Sequence, residues 1–296
     1  MSALVEIEDL TVRFGSRGGV HAVNGVTLSV ETGEVLALLG ESGSGKSVTL
    51  QALMQLLPPK RTAIGGAIRF DGRDVLALKG RDLADFRGND VAMIFQDPAL
   101  ALDPVYSIGA QIAETVMRHR KATREEAMKR ALEMLEKVRI PSAERRLSNY
   151  PHEMSGGMRQ RAMIALALAC EPRLLLADEP TTALDATVQM QVLLLLRALQ
   201  KEMGMSVIFV THDIGVAVEI ADRVAVMYAG TIVETGTIAE IIKDPRHPYT
   251  KGLLAANLHG AVKGARLDAI PGAPPPLSEP PSACPFAPRC PEARAI

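Results

Sequence analysis

The sequence predicts an α/β fold, with a largely parallel sheet covered by helices and a helical subdomain inserted into it. Short, nearly continuous apolar runs at 35–39, 91–95, 174–177, 207–210 and 224–227 suit strands buried on both faces. Long helical patterns separate several of these runs, as in alternating strand and helix architectures. The stretch from about 97 to 169 is mostly helical. Within it, Thr123 and Glu126 form a capping box ahead of Ala127, Ala131, Leu135 and Val138, which share one helical face. Before all of these, residues 4–14 and 22–30 alternate apolar and polar, as half-buried strands do.

Composition narrows the class. Apolar residues are 47% and charged residues 23% of the 296, enough for one large globular domain and an appendage. Aromatics are only 3%, with no Trp, so Leu, Ile, Val, Ala and 13 Met must fill the core. A formal charge of −1 offers no electrostatic footprint for nucleic acid. The N-terminus is acidic and strand-like, unlike a signal peptide. No apolar run approaches the roughly 18 residues of a membrane span. Cys170, Cys284 and Cys290 are too few for a disulfide scaffold, and the chain reads as cytoplasmic. After about 255 the composition changes, and the proline-rich 270–281 excludes regular helix or central strand. The tail is therefore expected to be an appendage outside the core.

The chemistry is concentrated in a few motifs. G-E-S-G-S-G-K-S at 40–47 fits G-x-x-x-x-G-K-[ST], follows a buried-strand pattern and opens a helix at 48–57. Its glycines let backbone N–H groups close around phosphate oxygens, and the helix N-terminus adds partial positive charge. The phosphate-binding set is Gly40, Ser42, Gly43, Ser44, Gly45, Lys46, Ser47 and Val48. Lys46 reaches the β- and γ-phosphates and Ser47 ligates Mg²⁺. The apolar run at 174–177 ends in Asp178, suited to a water-mediated Mg²⁺ role, and Glu179, suited to polarising an attacking water. These features define a P-loop NTPase core. No Asn is followed by Lys, so the N-K-x-D signature of guanine-specific proteins is absent.

A second group is more specific. Ser155, Gly156 and Gly157 open a helix at 158–169 and make another anion site, one that a single nucleotide cannot share with the first. Gln96 follows the run 91–95, His212 follows 207–210, and Asp185 opens and caps a helix at 187–199. Phe14 closes the first strand. In this order the residues resemble the ATP-binding-cassette family from about residue 4 to 255. Met154 stands where the family's commonest form has Leu, a volume-conserving exchange.

The resemblance implies a cassette at 1–255 with an antiparallel β portion at its start, a helical subdomain at about 97–169, and a C-terminal extension at 256–296. It implies that Ser155, Gly156 and Gly157 contact the γ-phosphate of ATP held by a second subunit. By the same resemblance Gln96 touches Mg²⁺ and the attacking water, His212 hydrogen-bonds the γ-phosphate, Asp185 lines the dimer seam, and Phe14 stacks on adenine. The interval between Lys46 and Asp178 holds no long coiled coil or zinc module of the DNA-repair ATPases, and each motif occurs once. F-Q-D-P at 95–98, L-D-P at 102–104, I-G-A-Q at 108–111, Y-P-H-E-M-S at 150–155 and D-E-P-T-T-A-L-D at 178–185 look like the D-type ATPase of dipeptide and oligopeptide (or nickel) importers. H-P-Y-T at 247–250 and I-P-G-A-P-P-P-L at 270–277 are the more specific marks of that branch.

The implied machine contains two membrane-spanning permease subunits, a second ATPase and an extracytoplasmic binding protein, with this chain on the cytoplasmic membrane face. A cassette ATPase of an exporter or of a non-transport process is the competing reading. Sequences of the branch often continue with further cysteines after a pair like Cys284 and Cys290. An iron–sulfur cluster, which usually needs four thiolates, is expected only in such a longer form.

Overall fold

The computed structural model describes residues 3–15, 19–182, 184–256 and 270–293. The chain begins with strands β1 (Val5–Phe14), β2 (Val20–Val30) and β3 (Val35–Leu39), then helix α1 (Lys46–Leu53), β4 (Thr62–Phe70) and β5 (Arg73–Asp74). Next come α2 (Gly80–Asp85), β6 (Val91–Ile94), α3 (Pro98–Ala101), α4 (Ile108–Arg120), α5 (Arg124–Lys137), α6 (Ala143–Arg146), α7 (Gly156–Leu168) and β7 (Leu174–Asp178). The last part holds α8 (Ala186–Met203), β8 (Ser206–Thr211), α9 (Ile214–Ile220), β9 (Arg223–Tyr228), β10 (Thr231–Thr237), α10 (Ile238–Lys243) and α11 (Pro248–Ala255).

Two compact units emerge, 1–77 with 208–296, and 78–207. In the first, β2, β1, β4 and β5 form an antiparallel sheet in that order. Its presence bears out the expected antiparallel start. Strand β4 was not foreseen, because Gly65 and Gly66 interrupt the alternation of T-A-I-G-G-A-I-R-F. In the same unit β3 runs parallel to β9, with Leu36 opposite Arg223 and Leu39 opposite Val226. All five residues of β3 are buried, as the unbroken apolar run requires. β9 turns back into β10 through Ala229 and Gly230, both at positive φ (47° and 82°). Positive φ at both central residues suits the tight turn of a two-residue hairpin.

Beneath β3 and β9 lies a cluster of Ala37, Leu39, Val226, Tyr228, Tyr249 and Phe286 with their neighbours. The scarce aromatics concentrate here: the Tyr228 ring is 4.6 Å from Tyr249 and 5.3 Å from Phe286, and Tyr249 is 5.4 Å from Phe286. Tilted and edge-on pairs at such distances add to the stabilisation from burial alone. Phe286 belongs to the proline-rich tail and is 2% exposed. The expectation of a tail outside the core is corrected by this burial. Proline prevents regular helix and central strand, but it does not prevent an irregular segment from packing. Residues 257–269 of the expected extension lie outside the described residues.

The second unit contains β6 and β7, paired in parallel from Val91 opposite Leu174 to Ile94 opposite Ala177. It is wider than the helical stretch expected at 97–169. Helices α4 and α7 pack against α5. The capping box at the start of α5 forms as expected: Glu126 N–H donates to Thr123 Oγ1 at 3.3 Å, and Thr123 N–H donates to Glu126 Oε2 at 2.7 Å. Ala127, Ala131, Leu135 and Val138 are completely buried on one face. The hydrogen bonds that the Glu126 carboxylate accepts from Thr123 N–H and Thr123 Oγ1 hold it below its ordinary pKa. A Thr123→Ala chain is expected to lose about 1 kcal/mol of stability, the usual value of a lost N-cap. A thermal unfolding midpoint indistinguishable from the parent would contradict this.

Candidate functional site: a phosphate loop and a carboxylate pair

The phosphate loop leaves β3 and enters α1 within the first unit. Gly45 sits at φ 104°, and a Cβ there would lie 2.4 Å from the Ala22 carbonyl oxygen. A Cβ at Gly40 would lie 2.1 Å from the Met227 carbonyl oxygen. Both glycines are required by the close approach of neighbouring backbone, and this approach gives the loop its tight curve. Ser42 and Gly43 are exposed, whereas Ser44 and Lys46 are each 4% exposed. The Lys46 ammonium donates to the carbonyls of Gly40 (2.8 Å) and Glu41 (2.9 Å) and lies 3.4 Å from Ser44 Oγ. A buried ammonium needs such acceptors, and here they come from the loop's own first turn. Ser47 and Val48 follow on α1, both half-buried.

The loop is also held from behind. Glu41 N–H donates to the Tyr249 hydroxyl at 2.9 Å, and the Glu41 carboxylate pairs with Arg289. Burial raises the Tyr249 phenol far above its ordinary pKa, so it stays neutral. Tyr249 is oriented in turn by α11, whose N-cap His247 accepts the Tyr249 N–H at Nδ1 (3.1 Å). The H-P-Y-T motif thus reaches the phosphate loop, a contact that sequence spacing did not reveal. Phe14 is half-buried at the end of β1, opposite Val20 and Thr62. His212 is exposed directly after β8.

In the second unit, parallel pairing brings the ends of β6 and β7 together, so Gln96 and Glu179 meet. Gln96 Nε2 donates to Glu179 Oε2 at 3.3 Å, and Thr182 Oγ1 donates to the same oxygen at 2.9 Å. Thr182 was not foreseen as a positioning group. Glu179 adopts φ 45°, a region costly for a side chain with Cβ and frequent at functional sites. Asp178, one residue earlier, is buried at 7% exposure.

Ser155 caps α7, accepting Met158 N–H at 3.3 Å, and is exposed together with Gly156. A Cβ on Gly156 would meet nothing, whereas one on Gly157 would lie 3.0 Å from Val188. Met154 beside them is 3% exposed, so it fills the apolar position expected of Leu. Asp185 is exposed and caps α8, accepting from Thr187 N (3.1 Å) and Val188 N (3.0 Å).

A family model described as ABC transporter matches residues 23–182. The chain belongs to the ABC transporter family. A second model, the oligopeptide/dipeptide transporter C-terminal region, matches residues 233–296. The oligopeptide transport ATP-binding protein OppD of Bacillus subtilis is 52% identical over 290 residues, 97% of this chain and 81% of the relative. The dipeptide transport ATP-binding protein DppD of the same organism is 48% identical over 298 residues, 100% of this chain and 89% of the relative. Among solved structures, a dimeric ATP-binding cassette in a post-hydrolysis state bound to ADP and Pi superposes with a TM-score of 0.70. It is 30% identical and covers 79% of this chain and 98% of its own. The cassette cbiO1 from Clostridium perfringens, part of the complex cbiONQ, has a TM-score of 0.70 at 29% identity, covering 82% of this chain and 92% of its own.

This ABC ATPase therefore carries the P-loop NTPase fold that its motifs predict. Among the described residues no helix is long and apolar enough to cross a membrane. Cys170 is buried at 1% exposure, Cys284 is exposed and Cys290 half-buried. Among the described residues no group of three or more His, Cys, Asp or Glu is placed to hold a metal ion.

The geometry of Gly45 makes a direct prediction. Gly45→Ala forces a Cβ into the Ala22 carbonyl at an unfavourable φ, and is expected to weaken binding of a fluorescent ATP analogue at least ~10-fold while lowering the unfolding midpoint. Unchanged affinity in a folded variant would show that the tight curve at Gly45 is dispensable for binding.

Proposed function

We propose that this chain is the ATP-hydrolysing motor subunit of a peptide importer, acting on the cytoplasmic face of the plasma membrane. The substrate class rests on one observation, the match of residues 233–296 to the oligopeptide/dipeptide transporter C-terminal region, which lies wholly outside the cassette match at 23–182. The relatives named for oligopeptide and dipeptide transport support the same reading.

The phosphate loop suits triphosphate binding, since Gly40 and Gly45 leave backbone where a Cβ would intrude. Lys46, with Gly40, Ser42, Gly43, Ser44, Gly45, Ser47 and Val48 around it, takes the β- and γ-phosphates. Phe14 is assigned to adenine. Ser47, Gln96 and Asp178 supply oxygen donors, the ligand type that Mg²⁺ prefers. Gln96 gives its amide N–H to Glu179, so its oxygen is the atom offered to the cation. When bound, Mg²⁺ draws negative charge off the transferring phosphoryl group.

Glu179 accepts hydrogen bonds from Gln96 and Thr182 at one oxygen, which fixes its carboxylate to orient and polarise a water molecule. His212 is assigned to the γ-phosphate. Ser155 and Gly156, with half-buried Gly157, expose a second anion-binding helix start, so each ATP is completed by another ATPase subunit, with Asp185 at the seam. We assign the nucleotide-binding domain to 1–255 with its helical subdomain at about 97–169, and an extension to 256–296. The remaining partners are two membrane-spanning permeases and an extracytoplasmic binding protein that delivers substrate.

Glu179→Gln should leave ATP affinity near the parent value, lower turnover roughly 10²–10⁴-fold, and favour a nucleotide-locked dimer. Steady-state hydrolysis by the reconstituted transporter, with size-exclusion chromatography in ATP, is the measurement. Turnover close to the parent would remove Glu179 from its assigned role.

A further inference from the structure

The tail that packs beneath β3 and β9 ends in an unusually complete ion pair. Arg289 has a side chain only 6% exposed, facing a Glu41 carboxylate that is 27% exposed. Its Nη1 lies 2.9 Å from Glu41 Oε2 and its Nη2 lies 3.3 Å from Glu41 Oε1, the two-pronged geometry that arginine makes with a carboxylate. Nη1 also donates to the Tyr228 hydroxyl at 3.3 Å, and Nη2 to the Ile270 carbonyl at 3.2 Å. Nε donates to the Pro271 carbonyl at 2.8 Å. These contacts use all five N–H donors of the guanidinium, and the Tyr228 ring lies beneath it, 5.8 Å from Cζ to ring centre. A cation buried this deeply would be costly without such partners.

Glu41 is the second residue of the phosphate loop, and three of its groups are tied down. Tyr249 takes its N–H, Lys46 takes its carbonyl, and Arg289 takes its carboxylate. The tail reaches the same loop by packing as well: Pro274, Pro275 and Leu277 line a small cleft with Ser42, Gly43 and Ser44. The Leu277 carbonyl accepts His21 N–H at 2.7 Å, which fastens this segment to β2. The C-terminal segment thus forms the back wall of the turn that presents amides to phosphate.

We propose that Arg289 is a positioning residue for ATP. Acting through Glu41, and with Tyr249 beside it, it holds the first turn of the phosphate loop in its binding conformation, so the C-terminal segment sets nucleotide affinity rather than the chemical step. A rigid loop loses less freedom when the triphosphate binds, and that difference appears in affinity and KM. Lysine cannot replace it fully, because a single ammonium cannot match the fork or the five donors.

This inference rests on the assignment of the phosphate loop to ATP, and the test separates the two. The full-length chain is titrated with a fluorescent ATP analogue, and the reconstituted transporter is assayed for KM and kcat. The variants are Arg289→Ala, Arg289→Lys, Glu41→Ala, Glu41→Gln and the double alanine. Arg289→Ala is expected to raise both the dissociation constant and KM about 10-fold with kcat within about two-fold, and Arg289→Lys to fall between it and the parent. The double alanine should be no worse than the weaker single variant, since both remove one interaction. If an alanine variant fails to fold, Arg289→Lys and Glu41→Gln are compared in the same way. An Arg289 variant that folds with unchanged KM and affinity overturns the proposal, as do independent, multiplying effects of the two alanines. A fall in kcat at constant KM overturns it too. A parent chain whose nucleotide binding survives Lys46→Ala would instead sink the assignment of the loop to ATP.

Discussion

The structure depends on how a short glycine-rich turn at 40–47 is held in one shape. An open turn rich in glycine has much conformational freedom to lose. Here that freedom is removed from outside the motif. β3 is buried on both faces and cannot shift, Gly40 and Gly45 are pressed against the carbonyls of Met227 and Ala22, and Gly230 N–H donates to the Ser44 carbonyl at 2.9 Å. Lys46 closes the first turn from inside by donating to Gly40 and Glu41.

Each unit organises its chemistry by a different device. In the first, a parallel pair of buried strands, β3 and β9, supports a loop fixed by backbone contacts and by a distant segment of the chain. In the second, the parallel pair β6 and β7 ends at adjacent positions, and the side chains of Gln96 and Thr182 donate to one carboxylate oxygen of Glu179. Functional groups at the carboxyl ends of parallel strands are a general feature of α/β folds. The left-handed φ of Glu179 belongs with this placement, since it turns the side chain at the strand end at a local cost that the surrounding structure sustains.

Much of this was legible in the sequence because the signals were local. Apolar runs marked β3, β6, β7, β8 and β9, and a cap residue with its periodic face marked the start of α5. Asp185 proved to be the N-cap of α8, accepting two backbone N–H groups as its position implied, and Ser155, read as part of an anion site, also caps α7 through Met158 N–H. β4 was hidden because two glycines broke its alternation. The ion pair of Glu41 with Arg289 was hidden for another reason: it joins residues at opposite ends of the chain, and neither carries a pattern of its own. Composition excluded regular helix or central strand for 270–281, and that was correct. It could not show that an irregular segment would bury Phe286 and Arg289.

Hydrogen–deuterium exchange of the full-length chain, with and without Mg·ATP, tests the central claim most directly: the loop at 40–47 is the nucleotide cradle, anchored from behind by the C-terminal segment. The account predicts slower exchange at the loop amides and, through Glu41, Tyr249 and Arg289, slower exchange in 248–255 and 270–290. Both effects should vanish in Lys46→Ala. Protection confined to regions away from the loop, or protection of the loop that leaves the C-terminal segment unchanged, would contradict it.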